Sequence, residues 1–338
     1  MSSAPPPSNG TSGVSGRTDG GPVPLASSAP YRSVARRVFV NRAFLWACLI
    51  TTNIAVVVLA VLLISIFWQG WDTLSWKFIT SFASRKPADA GILAPLMGSL
   101  WVCTICGLVA LPLGIGTAIY LEEFSKRSRF TRIVQTNIMN LAGVPSIVYG
   151  ILGLTAFARM FGAFGTNVDD AIAVGNGEGL LYLRLPFGSS VLAGGLTLML
   201  VILPVVIIST QEALRAVPSS LRAGALALGA TPWQTVWGIT LPAAIPGIMT
   251  GAILSMSRAI GESAPLLVLG GLLLVFNTPT NLMSDFAILP LQIYNWAGRP
   301  QDAFHAIAAS AIIVQLGVLF LFNGIAVLIR QKLQKPLQ

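Results

Sequence analysis

The chain has 338 residues, of which 54% are apolar and 10% charged, with a formal net charge of +9. A soluble domain carries roughly a quarter charged residues, so this composition excludes a soluble enzyme or binding module and implies a protein of the bilayer. The positive charge does not point to nucleic acid, because the basic residues flank apolar runs and form no basic helix or aromatic stacking platform.

In chain order, residues 1 to about 30 are rich in Pro, Ser and Gly and nearly free of large apolar side chains. Such a segment cannot bury enough surface to offset chain entropy. We read residues 1–40 as a disordered cytosolic tail, 41–330 as a transmembrane domain and 331–338 as a cytosolic C-terminal tail. Six apolar runs, near 43–68, 93–121, 133–161, 188–209, 243–276 and 304–330, are long enough to cross the bilayer, which takes about 20 residues each. The first run lies too far from the start, and is too long, for a cleaved signal peptide, so it is expected to stay as an anchor. An all-α polytopic membrane protein is the expected fold class.

Orientation is read from the cations, which are retained on the cytoplasmic side. Arg32, Arg36, Arg37 and Arg42 precede the first run, and Lys126, Arg127, Arg129 and Arg132 separate the second and third. Arg215 and Arg222 follow the fourth, and Lys332 and Lys335 end the chain. All four segments fall on one side of an even-numbered bundle, which places both termini in the cytosol. The opposite loops dilute Lys77, Arg85, Lys86, Arg184 and Arg299 with seven carboxylates.

Cys103 and Cys106 have the spacing of a thiol pair but lie inside an apolar run with no second pair and no histidine nearby, so they read as packing residues, as does Cys48. His305 is the only histidine and builds no metal site alone. No Lys is preceded by Gly and followed by Ser or Thr, so the phosphate-cradling loop of nucleotide hydrolases is missing. The chain is therefore expected to hydrolyse no ATP itself, and no protease, hydrolase or calcium motif appears.

Between the fourth and fifth runs, about residues 212–242, lies a helical hairpin. Pro218-Ser219-Ser220 offers a hydroxyl cap, and Leu221, Ala225 and Leu228 recur at helical spacing to give an apolar face. Gly229 can take the left-handed conformation that closes a helix, after which Thr231 as N-cap and Pro232 at the first helical position start another. Trp233 and Trp237 share a face suited to the membrane interface. Following Arg222, which counts with them among the expected coupling residues, Ala223, Gly224, Ala225 and Ala227 leave little side-chain bulk, so a groove of another protein could close on this backbone.

These residues resemble the permease subunits of bacterial ABC importers, whose cytosolic signature is E-A-A-x-x-x-G, nine residues, then I-x-L-P. Gly229, Ile239, Leu241 and Pro242 match at that spacing and Ala225 matches the second Ala, whereas Ala223 replaces the Glu and Gly224 the first Ala. Further segments, Leu111 to Gly116 with Tyr120-Leu121-Glu122-Glu123, Gly143 to Gly150, Arg258 to Leu266 and Leu289 to Trp296, resemble the permease A subunits of phosphate-specific importers. The resemblance covers about residues 40–330 and implies a type I importer (MetI-like) transmembrane domain whose hairpin seats in a cleft of an ATPase. It also implies the partners: a second permease of the C type, two ATPase copies that use ATP and Mg, an external phosphate-binding protein, inorganic phosphate as cargo, and the bacterial cytoplasmic membrane. No cofactor is expected in this chain.

Arg258 and Glu262 support transport independently of the resemblance. A charge at mid-membrane costs roughly 2.5–3.5 kcal/mol, so two in one run require partners or water. Their i, i+4 spacing places them on one helix face, either as a structural ion pair or as a pathway in which Arg258 attracts an anion and Glu262 weakens the trap enough for release. Gly98, Gly107, Gly114, Gly116, Gly143, Gly150 and Gly153 permit close helix contact, and Pro112 and Pro145 allow bends. Three alternatives stay open: the permease of another oxyanion, the paired phosphate permease C, and a channel or ion-driven transporter that needs no ATPase.

Overall fold

The computed structural model describes residues 32–126, 128–162, 172–174, 179, 182–270 and 277–333. The expected disordered tail up to about residue 30, the end of the fifth apolar run at 271–276 and the last five residues lie outside the described residues. The first helix, α1, spans Arg32–Gly70, so residues 32–40, expected to belong to the tail, are helical. The chain divides into two compact units between Leu62 and Leu63, within α1. All later elements belong to the second unit, Leu63–Gln338.

After α1 come a short helix α2 (Trp76–Thr80), then α3 (Leu93–Ile119), which ends in a wide π-turn at Tyr120–Phe124. The third apolar run is not one straight span. It forms α4 (Arg129–Ala142) and α5 (Ser146–Gly153, with a π-turn at Leu154–Ala158), bent by 104° at the break. Pro145 causes the break: its ring would clash with the Leu141 carbonyl, and it restricts Val144 to extended backbone. The Leu141 carbonyl accepts the Val144 amide at 3.0 Å in a turn and the Tyr149 hydroxyl at 2.8 Å, which together hold the bend.

A two-stranded antiparallel ribbon, β1 (Ile172–Val174) and β2 (Leu183–Leu185), is the only strand pairing among the described residues apart from a single bridge between Ser190 and Asp285. Then come α6 (Val191–Arg215), α7 (Ser219–Ala227), and α8 (Pro232–Thr235), which continues through a π-turn at Val236–Thr240 into α9 (Leu241–Gly261). The fifth run also differs from expectation. α9 stops at Gly261, Glu262 is extended (φ −80°, ψ 117°), and a separate helix α10 covers Ala264–Leu269. Pro265 would clash with the carbonyl of Gly261, four residues back, and the break falls in the residues just before it. α11 (Leu289–Ala297) and α12 (Asp302–Leu333) complete the described chain.

Close glycine contacts set the directions of the helices. A Cβ on Gly195 of α6 would lie 2.6 Å from Ile105 of α3, and one on Gly114 of α3 would lie 2.6 Å from Val206 of α6. Contacts that advance together along both helices make α3 and α6 parallel, so the chain returns between them, through α4 and α5. α6 and α9 are antiparallel, because Gly247 meets Ala213 and Gly251 meets Ser209. α12 is antiparallel to α9, with Ser257 donating to Asn323 at 2.5 Å and Gln315 to the Ile260 carbonyl at 3.0 Å. Five helices among the described residues are long and apolar enough to span a bilayer, and six if the bent pair counts as one span.

The central core packs Val102, Ile105 and Cys106 of α3 against Leu198 and Ile202 of α6, with Ala259, Leu266 and Phe286 closing it. A second cluster joins Phe78, Ile92, Leu289, Trp296 and Phe304. A third, Leu214, Val217, Ala244 and Ile248, lies where α6 ends and α9 begins. It connects the bundle to the hairpin.

Candidate coupling hairpin and charged helix end

The hairpin closes as the turn chemistry predicts. Gly229 has φ +87°, the Gly229 amide donates to the Leu226 carbonyl at 3.0 Å and the Ala230 amide to the Ala225 carbonyl at 3.1 Å. Those two bonds are the paired closure of a left-handed helix end, and they satisfy carbonyls that the helix leaves free. On the far side Thr231 and Gln234 form a reciprocal capping box: the Gln234 amide donates to Thr231 Oγ1 at 3.3 Å and the Thr231 amide to Gln234 Oε1 at 2.9 Å.

Two expectations for the first arm fail. α7 has Pro218 at its N-cap and no side-chain hydroxyl cap, because Ser219 is already helical. The expected apolar face of Leu221, Ala225 and Leu228 does not pack as a unit: Ala225 is buried, Leu221 is exposed, and Leu228 at the tip is 91% exposed. Ala223, Gly224 and Ala227 are exposed as well, and a Cβ on Gly224 would meet no atom of this chain within 4 Å. The outer surface is thus small-residue backbone flanked by exposed Leu221 and Leu226, with Leu228 projecting at the tip. Trp233 and Trp237 do share a face, with ring centroids 5.5 Å apart, and Phe124 packs against Trp233 at 5.6 Å.

Ile239 lies in the π-turn and Leu241 and Pro242 open α9. Pro242 has no N–H to offer the Gly238 carbonyl, and the widened turn absorbs that defect without ending the helix. The second arm of the hairpin is therefore mechanically part of α9. Arg222 faces inward: its Nη2 donates to the Leu214 carbonyl at 2.6 Å and lies 2.9 Å from Glu123 Oε1. Arg215 pairs in the same way with Glu122 at 2.5 Å. These two carboxylates belong to the Tyr120–Glu123 motif, but their partners could not be found from the sequence. Nothing local joins the end of α3 to residues so far along the chain.

Arg258 and Glu262 form an ion pair, Nε to Oε2 at 3.8 Å. They do not share a helix face, since α9 ends before Glu262. Arg258 is half exposed (52%) and Glu262 largely buried (17%). Glu262 borders a void of about 10 Å³ with Ser99, Cys103 and Leu266, room for no more than about one water. Within this chain the pair is a charged helix end beside that small void. Cys103 also lines an apolar cavity of about 420 Å³ between α3, α9 and α12, Cys106 is buried in the core, and His305 meets the Arg299 carbonyl at 2.7 Å.

Residues 110–335 match the family described as binding-protein-dependent transport system inner membrane component. The chain belongs to that family. This permease is 31% identical over 284 residues to the phosphate transport system permease protein PstA 1 of Mycobacterium tuberculosis (strain ATCC 25618 / H37Rv), covering 82% of this chain and 83% of that protein. It is 33% identical over 219 residues to the probable ABC transporter permease protein YqgI of Bacillus subtilis (strain 168), covering 64% of this chain and 66% of the relative. With the phosphate transport system permease protein PstC of Mesorhizobium japonicum it shares 35% identity over 225 residues, covering 63% and 68%. Among solved structures, a bacterial ABC transporter involved in the import of the acidic polysaccharide alginate aligns over 90% of this chain and 99% of its own, with a TM-score of 0.59 and 17% identity. That likeness shows the fold, the MetI-like permease architecture, in a multi-pass membrane protein.

Proposed function

We propose that this permease is the A-type subunit of an ATP-driven importer of inorganic phosphate. The observation that carries the reading is the relationship to a phosphate permease A over 82% of the chain. The hairpin supports coupling to a separate ATPase: its outer surface is bare backbone with an exposed Leu228, and its second arm continues into α9, which ends at Arg258 and Glu262. The complex would hold a second, C-type permease, two ATPase copies that bind ATP and Mg, and an external phosphate-binding protein. The cation-rich segments favour both termini in the cytosol.

In this mechanism ATP binding closes the ATPase dimer and displaces the hairpin, the rigid α8–α9 arm carries the motion to the Arg258 end, and the bundle opens outward to accept phosphate. Arg258 would attract the anion, and Glu262, 3.8 Å away, would keep the guanidinium from holding it too tightly. The test is purification of the intact complex followed by ATPase and uptake assays in vesicles. Co-purification of an ATPase whose turnover phosphate and the binding protein stimulate is the expected result. Uptake that persists without the ATPase would identify a channel or secondary transporter, and stronger competition by molybdate or sulfate than by phosphate would identify another oxyanion permease.

A further inference from the structure

The hairpin has covalent routes to two helices of the bundle: α7 joins α6 through residues 216–218, and α8 runs unbroken into α9. α3 has no covalent link to it, yet α3 packs along the length of α6 and shares the central core. Where α6 ends and α9 begins, Ile115 and Ile119 of α3 pack against Leu214, Val217 and Ala244, and the polar link from α3 to the hairpin is the five-residue π-turn Tyr120–Phe124.

Three successive residues of that turn each reach a different element. Glu122 meets Arg215, the last residue of α6, at 2.5 Å. Glu123 meets Arg222 of α7 at 2.9 Å. Phe124 stacks on Trp233 of α8 at 5.6 Å between ring centroids. Arg222 is itself a three-way junction, because the same Nη2 donates at 2.6 Å to the Leu214 carbonyl in the last turn of α6, which also accepts the Val217 amide at 3.2 Å. Glu123 Oε1 is buried and makes no hydrogen bond, so the ion pair with the Arg222 guanidinium at 2.9 Å is what compensates it. Exposed ion pairs are screened and often contribute nothing. The Glu123–Arg222 pair is the better shielded, with side chains 11% and 28% exposed, whereas Glu122 at 17% faces an Arg215 side chain that is 50% exposed.

We propose that the acidic π-turn is a transmission strut: Glu123 acting through Arg222, and Glu122 acting through Arg215, position the hairpin against α3, so that a displacement of the hairpin moves α3 together with α6 and α9. Both carboxylates are positioning residues, touching neither cargo nor nucleotide. Without the strut, α7 keeps its link to α6 through residues 216–218 and the Arg222–Leu214 bond, and hairpin motion reaches α6 and α9 without being delivered to α3 by the turn. The inference rests on the reading of the hairpin as the ATPase-docking element.

The experiment uses the full complex reconstituted in proteoliposomes with its ATPase and binding protein, and reads two quantities: ATPase subunits retained per permease, and phosphate imported per ATP hydrolysed. Glu123→Gln and Glu122→Gln should each retain the ATPase at wild-type stoichiometry and continue to hydrolyse ATP. Phosphate per ATP should fall about fivefold to tenfold, in the range of coupling between contacting groups, and further in the double variant. Wild-type phosphate per ATP in both single variants would overturn the proposal. So would loss of assembly in both, since the pairs would then be structural only. If no ATPase co-purifies with the wild-type chain, the reading of the hairpin fails, which is a separate result from a coupled complex indifferent to the two carboxylates.

Discussion

Gly224→Ala and Gly229→Ala lie in one hairpin arm and should shift its stability in opposite directions. Gly224 is inside α7, exposed, with nothing of this chain within 4 Å of an added Cβ. Its replacement by Ala removes chain entropy from the unfolded state and should stabilise α7 by about 0.5–1 kcal/mol. Gly229 is equally unobstructed, but its φ is +87°. Since no atom is struck, the penalty of Gly229→Ala is that of the left-handed backbone alone, about 1–2 kcal/mol, and Gly229→Asn should lose less. The assay is amide hydrogen exchange across residues 219–230 of the permease in nanodiscs. Gly224→Ala should slow local opening by about twofold to fivefold, and Gly229→Ala should speed it by about fivefold to thirtyfold. Shifts of the same sign would refute the reasoning, because no contact within the chain could account for them. The same pair reports on docking. If an ATPase cleft closes on the bare backbone at Gly224, Gly224→Ala should weaken ATPase retention even as it tightens the helix.

Thr231→Ala removes one half of the capping box and should lower stability by about 1 kcal/mol, read as a drop in the thermal unfolding midpoint that Thr231→Ser largely avoids. Gly150→Val should destabilise the α5–α10 contact by about 1–3 kcal/mol: a Cβ there would lie 2.6 Å from the Pro265 carbonyl oxygen and 2.7 Å from its Cα, backbone atoms that cannot rotate away. Its check is the unfolding midpoint against Gly116→Val, where a Cβ meets nothing within 4 Å. Arg258→Gln and Glu262→Gln should assemble normally and reduce phosphate uptake in vesicles; wild-type uptake by both would remove the pair from the pathway.

The features legible in the sequence were those set by interactions within about one helical turn. Apolar runs reveal spans because a helix satisfies its own backbone, and the hairpin closure at Gly229 and the capping box at Thr231 form between residues at most five apart. Proline marks where this local logic stops. Pro112, Pro204 and Pro246 sit inside helices that continue, whereas Pro145 and Pro265 coincide with breaks. The difference lies in what surrounds them. Tyr149 and the Val144 amide both bond the Leu141 carbonyl before Pro145, and Gly150 brings α5 against the Pro265 backbone, so the two breaks support each other across the fold. The third and fifth runs read as single spans, with a bend allowed at Pro145 but its angle undetermined, and Glu262 falls beyond the helix its spacing implied. The Glu122–Arg215 pair is 93 residues apart in sequence, and no periodicity joins such positions. Composition and local turn chemistry determined that this is a helical membrane protein with a projecting hairpin, and the resemblance of its motifs added the permease; only the packing of α3 alongside α6 decided which charges hold that hairpin, because a contact between distant segments exists only once the helices have been brought together.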